Sequence, residues 1–174
     1  MRNMNNLVLI LLRYLFLLVL SLFILSEVFS NFILIITIYP VNLLLNRFFE
    51  SFVAGTLILV ERVSVQLIPA CLAISAYLLL ISLNFLVAMR PLKRILSILF
   101  SFMLLLLLNI LRIFLLTILV IKDVAYYDLI HKLVWYLLST LLVVCVWFLT
   151  AYIFKIKGLP IYSDFKFIRK SLAF

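Results

Sequence analysis

Three side chains of this sequence are of types that combine in nucleophilic catalysis: Cys71, Arg112 and His131. A thiol attacks as its thiolate, and a free thiol pKa of about 8.5 leaves little thiolate at neutral pH. A nearby imidazole can take the proton and later return it to a leaving amine. A guanidinium stays charged where water is scarce and can stabilise a thiolate or a tetrahedral oxyanion. The chain has one histidine, so imidazole chemistry must use His131.

Arg112 has the most unusual position of the three. It lies inside the apolar run Ile95 to Ile121, in which Asn109 is the other strongly polar side chain. An arginine at the centre of a membrane helix costs about 2.5–3.5 kcal/mol on insertion scales. Such a residue faces a protein interior and is functional by default. Asn109, three positions earlier on the same helix face, is predicted to orient the guanidinium or to donate to an oxyanion.

The composition indicates an integral membrane protein. Of the 174 residues 69% are hydrophobic, and elements that face hydrocarbon must then be helices. The net charge of +9 does not indicate nucleic-acid binding, because the basic residues flank apolar runs and form no face of their own. One His and two Cys cannot build a standard zinc site, and no metal or organic cofactor is expected.

The apolar runs predict a single membrane domain, 1–174, with about four transmembrane helices at 7–26, 69–89, 95–121 and 129–154. The first run is too long for a signal-peptide core and no A-x-A site follows it, so it is predicted to be retained. The stretch from Phe32 to Phe52 holds Pro40 and several polar residues, which predicts one or two helices lying in or re-entering the interface. One long tilted helix from Tyr14 to Tyr39 is the alternative.

A short strand-like segment precedes Cys71. Between Thr56 and Ile68, apolar residues alternate with Ser64 and Gln66, which predicts a hairpin turning near Glu61-Arg62. Pro69 then fits the first turn of the next helix. The fold class is therefore an all-α membrane bundle with an interfacial helix and a small extracytoplasmic hairpin. In that helix Ser75, four residues after Cys71, is predicted to share its face.

Loop charge predicts the orientation in the plasma membrane. One side carries almost only cations, which are Arg2, Arg13, Arg90, Lys93, Arg94 and five in the tail, 155–174. The other side is mixed in charge, so both termini are predicted to be cytoplasmic and residues 27–68 extracytoplasmic. Apolar residues at helical spacing in the tail, Phe165, Ile168 and Leu172, predict an interfacial anchor, with a plain solvated tail as the alternative.

This arrangement brings the three chemical residues toward one outer level. Cys71 and His131 open the outer ends of two predicted helices, and Arg112 lies about ten residues, roughly 13–15 Å, below the outer end of a third. Each has a structural alternative, since a lone membrane Cys is usually a small apolar residue and His131 alone is an interfacial one. Cys145 lies far deeper in the last predicted helix, and we predict that it has only a structural role in helix packing.

At these residues the chain resembles the archaeosortase/exosortase family of membrane cysteine transpeptidases. The likeness covers about Phe52 to Phe154: a strand-like segment leading into Cys71, the N-x-x-R of Asn109 to Arg112, and His131 at the start of the last helix. One departure is clear, because the family commonly follows its Cys with Ser-Gly or Thr-Gly and this chain has Leu72-Ala73.

The resemblance implies a function. Members of the family cleave the C-terminal sorting signal of secreted proteins, which is a short motif, a hydrophobic helix and a basic cluster. They do so through a thioester and pass the new C-terminus to a lipid, another amine or water. By this likeness Cys71 is the nucleophile, Arg112 the electrostatic stabiliser and His131 the general base and acid, with an active site on the extracytoplasmic side.

Two other classes of function fit parts of the sequence. A small transporter could use Arg112 as a substrate or counter-ion site, although no internal repeat is present and the last three predicted helices hold no acid to pair with it. A non-enzymatic assembly subunit could pair Arg112 with a partner's carboxylate. Cys71 separates these classes, because only the enzyme needs it.

Overall fold

The protein is mostly helical in a computed structural model that describes residues 2–61, 63–87 and 89–156. The basic tail from residue 157, with its predicted anchor, lies outside the described residues, as do the side chains of 2–11 and 13. The helices are α1 (Arg2–Ile24), α2 (Glu27–Leu45), α3 (Ile74–Leu86), α4 (Pro91–Ile121), α5 (Tyr127–Leu133) and α6 (Ser139–Ile153). The strands are β1 (Ser51–Ala54), β2 (Leu57–Val60) and β3 (Val63–Gln66).

Three helices of the described chain are long and apolar enough to cross a membrane. They are α2, α4 and the continuous helix Tyr127–Ile153, in which a π-helical turn, Val134–Leu138, joins α5 to α6. The apolar helix α3 and the stretch Tyr14–Ile24 of α1 are shorter. The predicted class of helical membrane protein is confirmed at this level, whereas the count of four spans stays a prediction. At 31 residues α4 is about 46 Å long, more than the roughly 30 Å of a hydrocarbon core, so it must tilt or protrude.

Helix α4 is antiparallel to both α3 and α6, and these three helices define two ends of the bundle. At one end the Ser97 hydroxyl donates to Asn84 Oδ1 at 2.7 Å, and Lys93 Nζ donates to the Lys155 carbonyl at 3.3 Å. We call this the basic end, because α4 begins there with Lys93 and Arg94. Cys71 lies just before the opposite end of α3, which places the predicted site far from these cations.

The first two helices form one broken path along the bundle. Three aromatic pairs show the direction of this path. The ring centroids of Phe16 and Phe85 lie 5.2 Å apart near the basic end. Farther along, the centroids of Phe29 and Tyr77 lie 6.4 Å apart, and those of Phe48 and Phe114 lie 6.2 Å apart. The path therefore runs from the basic end toward the Cys71 end through both helices.

This path differs from the prediction, which placed residues 27–68 together on the outer side with an interfacial helix in the middle. The alternative prediction of one long helix from Tyr14 to Tyr39 is closer to the structure, but the helix breaks at Leu25 and Ser26. The Ser26 hydroxyl caps α2 by accepting a hydrogen bond from the Phe29 amide at 3.4 Å. Pro40 lies inside α2 without ending it. Prolines are tolerated in membrane helices because neighbouring groups satisfy the freed backbone.

A three-stranded antiparallel sheet follows α2, in the order β1-β2-β3. The hairpin between β2 and β3 turns after Val60 and pairs Val60 with Val63, which confirms the predicted turn near Glu61-Arg62. Strand β1 was not predicted, because its sequence reads as the end of the preceding apolar stretch. Ile58 and Val60 of the central strand are fully buried, so one face of the sheet is fixed against the helices.

Candidate functional site

Cys71 lies in a turn between the sheet and a helix rather than inside a helix. Its amide donates to the Ile68 carbonyl at 2.8 Å, and α3 begins only at Ile74. The interruption is at Ala73, whose backbone is left-handed, with φ 57° and ψ 37°. Leu67 and Leu72, which are 4% and 2% exposed, anchor the turn by packing inward. Burial of these two side chains therefore holds a backbone that local preference would not choose.

This turn corrects two predictions. Pro69 does not start a helix, because the chain makes successive turns from Pro69 to Ala73. Ser75 does not share a helix face with Cys71, since spacing of four residues places side chains together only within one helix. Ser75 is exposed and lines other cavities than the one that holds Cys71.

Two hydrogen bonds hold the Arg112 side chain, half-buried in the middle of the bundle. Nη2 donates to the backbone carbonyl of Cys71 at 2.8 Å, and Nη1 donates to the hydroxyl of Ser139. Nε is buried without a hydrogen-bond partner among the described residues. A guanidinium has five N–H donors in a rigid fork, so this one is fixed in place with donors to spare.

Ser139 is a contact of the candidate site that the sequence did not predict. Its hydroxyl donates to the Val134 carbonyl at 3.1 Å across the π-helical turn while accepting from Arg112. Turns of this kind insert an extra residue into a helix and occur often at functional sites. The sequence carries one signal for this residue, the adjacent hydroxyls of Ser139 and Thr140 within an apolar stretch. Nothing in the sequence signals the π-helical turn itself.

Aromatic rings orient the imidazole of His131. The Tyr127 ring stacks on it with centroids 5.6 Å apart and planes 7° apart, and Trp135 meets it edge-on, also at 5.6 Å. All three residues lie on consecutive turns of the helix that begins at Tyr127, because they are spaced by four. Tyr127 and Trp135 therefore hold the predicted general base between two rings.

A single cavity of about 340 Å³ brings Cys71, Arg112 and His131 together. Tyr127 and Trp135 complete its wall on the side of His131. Residues 64–68, the end of β3 and the segment after it, form another wall. The sheet order makes β3 an edge strand, so one side of its backbone has no neighbouring strand in the sheet. We call this space the thiol cavity.

Asn109 does not orient the guanidinium as predicted. It is 2% exposed, and its Nδ2 has no hydrogen-bond partner among the described residues. It lines a second cavity, of about 310 Å³, which shares Arg112, Ala70 and Trp135 with the thiol cavity. The Cys71 carbonyl and Ser139 supply the orienting contacts instead. Cys145 is exposed on α6, so it is not one of the residues that pack between the helices, contrary to the prediction.

Comparison with known proteins adds no relative to these observations, since no protein-family model, no curated protein and no solved structure matches the chain. The fold and the geometry of the site therefore carry the functional argument.

Proposed function

We propose that this chain is a membrane-embedded cysteine protease or transpeptidase that cleaves a C-terminal sorting signal of secreted proteins and transfers the new C-terminus to a lipid or other nucleophile. The observation that carries the proposal is the thiol cavity, which three separate parts of the chain line with a thiol, a guanidinium and an imidazole. A triad of nucleophile, base and charge stabiliser in one cleft is the arrangement that acyl transfer requires.

The reaction proceeds in two halves. His131 takes the proton of the Cys71 thiol, and the thiolate attacks the carbonyl carbon of the scissile peptide bond. The new C–S bond leaves an oxyanion close to Arg112, whose positive charge stabilises it. Collapse breaks the C–N bond, and His131 returns its proton to the leaving amine. An amine or water then attacks the thioester carbon while His131 takes its proton, the C–S bond breaks, and the proton passes to the sulfur of Cys71.

The guanidinium suits this role because it does not have to reorganise. Its bond to the Cys71 carbonyl ties the charge directly to the backbone of the nucleophile. Its bond to Ser139 ties the same charge to the continuous helix Tyr127–Ile153, which also carries His131. Donors fixed in advance stabilise a developing charge more than donors that must be drawn into place.

The edge strand beside the thiol cavity supports a peptide as substrate. Ser64, Val65 and Gln66 of β3 line the cavity and lead toward Cys71. An extended peptide can add to such an edge as a further strand, with main-chain hydrogen bonds giving affinity and alternate side chains giving specificity. A sorting motif bound along β3 would place its scissile bond at the thiol.

The turn after Cys71 also supports the family resemblance. The family places a Gly where this chain has Ala73, and Ala73 adopts the left-handed backbone that Gly adopts at least cost. The departure in sequence is therefore not a departure in backbone shape. Leu72, at the position of the family's hydroxyl residue, is 2% exposed and packs inward.

The span of α4 supports an extracytoplasmic site. Arg112 lies 18 positions after Arg94 in one continuous helix, a rise of about 27 Å. That distance is close to the roughly 30 Å thickness of the hydrocarbon core. If the basic end faces the cytoplasm, as loop charge predicts, the thiol cavity lies near the opposite surface and both termini are cytoplasmic.

The test uses the two cysteines as a matched pair. Cys71→Ala should abolish cleavage of a co-expressed reporter with a C-terminal motif, hydrophobic helix and basic cluster, whereas Cys145→Ala should cleave normally. Mass spectrometry of the wild-type chain should find a hydroxylamine-labile acyl adduct on Cys71. Full cleavage by Cys71→Ala would refute the mechanism. Cleavage lost in Arg112→Ala but retained in Cys71→Ala would point to a binding role for Arg112 in a non-enzymatic subunit.

A further inference from the structure

The second cavity is a groove between α3 and α6 with α4 as its floor. Both outer helices pack along α4 but contact each other little, so the groove is open on the side away from α4. Leu79 on one wall is 50% exposed and Val144 on the other is 44% exposed. Apolar side chains exposed at the rim of a membrane bundle face lipid, so the groove opens laterally into the bilayer.

The polar side chains that line the groove lie at its Cys71 end on all three helices. They are Ser75 of α3, Asn109 and Arg112 of α4, and Ser139 and Thr140 of α6, and Ala70, Ala73 and Trp135 line the same end. Toward the basic end the same helices present Leu79, Leu105, Val143 and Val144. Three independent helices therefore give the groove one polarity, which matches an amphiphile with its head toward the Cys71 end.

Two buried donors at the polar end have no partner among the described residues. They are Asn109 Nδ2 and Arg112 Nε, which are three residues apart on α4. A buried donor left unpaired costs about 1–3 kcal/mol, more for a charged group, so such groups are normally satisfied. Both atoms are donors with almost no exposed surface, so an acceptor such as a carbonyl or phosphate oxygen satisfies them once a covering side chain moves aside.

We propose that this groove binds one membrane phospholipid, with a phosphate or ester carbonyl oxygen on Asn109 and Arg112 and an acyl chain along Leu79, Leu105 and Val143. A second transmembrane helix fits the groove less well. Its backbone acceptors are already used within the helix, so only a polar side chain of that helix could reach the two donors. A helix is also about 10 Å wide, whereas a groove of about 310 Å³ suits an acyl chain.

The site adjoins the thiol cavity through Arg112. The same guanidinium that reaches the Cys71 carbonyl lines the lipid groove, so a bound phospholipid and a bound peptide would lie on two sides of one charge. The lipid site does not depend on the proposed reaction, because none of its contacts involves the thiol or the imidazole. Cys71→Ala should therefore bind lipid as the wild type does.

The test measures lipid retained by the full chain. Protein from nanodiscs holding phosphatidylglycerol and diacylglycerol of equal chain length is extracted with mild detergent and weighed by native mass spectrometry. Wild type should retain one lipid. Thr140→Trp fills the groove from α6 and should reduce lipid retention at least about tenfold. The neighbouring Leu141 is 55% exposed and lies outside the groove, so Leu141→Trp should retain lipid as the wild type does. Ser75→Trp fills the groove from the opposite wall and serves if Thr140→Trp does not fold.

Asn109→Leu separates head-group binding from plain apolar filling. It should lower retention about tenfold, the size of effect expected for losing a buried hydrogen bond. Preference for phosphatidylglycerol would identify the phosphate as the acceptor, and equal retention of diacylglycerol with the same dependence on Asn109 would identify the ester carbonyl. The proposed lipid site would be refuted if Thr140→Trp retained as much lipid as Leu141→Trp. It would also be refuted if Asn109→Leu retained as much lipid as the wild type. Normal lipid binding with blocked reporter cleavage in Thr140→Trp would instead assign the groove to the substrate helix.

Discussion

Replacing Ala73 by glycine should stabilise the protein, although glycine ordinarily destabilises helical membrane proteins. Ala73 has φ 57° and ψ 37°, a left-handed backbone that costs an L-residue about 1–2 kcal/mol and costs glycine almost nothing. Glycine also gains about 0.4–1 kcal/mol of chain entropy in the unfolded state, which opposes the benefit. The middle of these two ranges, about 1.5 against about 0.7 kcal/mol, leaves a net stabilisation of about 0.8 kcal/mol for Ala73→Gly.

A matched control lies three residues along the chain. Ala76 is inside α3, and its amide donates to the Ala73 carbonyl at 2.9 Å. The identical substitution Ala76→Gly meets a right-handed backbone, where glycine costs about 1 kcal/mol relative to alanine. The two substitutions should therefore shift stability in opposite directions, with similar change in side-chain volume.

The assay is equilibrium unfolding in mixed micelles, with SDS as denaturant and tryptophan fluorescence as the signal. Ala73→Gly should move the midpoint to higher SDS fraction and Ala76→Gly to lower. Ala73→Val provides a third point, because a β-branched side chain is least tolerated at positive φ and should destabilise by more than Ala76→Gly. A loss of stability in Ala73→Gly equal to that in Ala76→Gly would refute the left-handed backbone at Ala73 and with it the turn that presents Cys71.

Two further predictions concern the site and the orientation. Ser139→Ala removes one of the two hydrogen bonds that hold the guanidinium, and a hydrogen bond to a charged group is worth about 1.5–3 kcal/mol. Reporter cleavage should therefore slow about tenfold to hundredfold, whereas the control Ser101→Ala should cleave at the wild-type rate. An unchanged rate in Ser139→Ala would show that the Cys71 carbonyl alone positions the charge. In a background lacking both cysteines, a membrane-impermeant maleimide applied outside should label Asp123→Cys and not Lys155→Cys, and the reverse pattern would invert the topology.

Some features followed from the sequence because the physics behind them is local or additive. Apolar runs as long as Ile95–Ile121 must be helices in a membrane, since no other structure satisfies its own backbone there. The alternation around Ser64 and Gln66 predicted the hairpin, because side chains of a strand alternate between its faces. The cost of burying Arg112 pointed to a site before any contact was known.

Other features needed the tertiary structure because their causes lie far apart in the chain. Burial of Leu67 and Leu72 forces the turn at Ala73, so local preference wrongly placed Cys71 and Pro69 in a helix. The continuous helix through Pro40 depends on neighbours that a linear reading cannot supply. Asn109 is adjacent to Arg112 on its helix, yet the guanidinium turns to Ser139, which is 27 residues away.

The sequence by itself determined which residues could do chemistry and that a membrane surrounds them. Their types, their order and the cost of a buried charge were enough for that, because each follows from the chemistry of single side chains and from hydrophobic length. Only the tertiary structure decided which of them share a cavity and what holds each in place. The π-helical turn, the left-handed Ala73 and the two cavities on either side of Arg112 arise from packing between helices, and packing depends on residues that no local window contains.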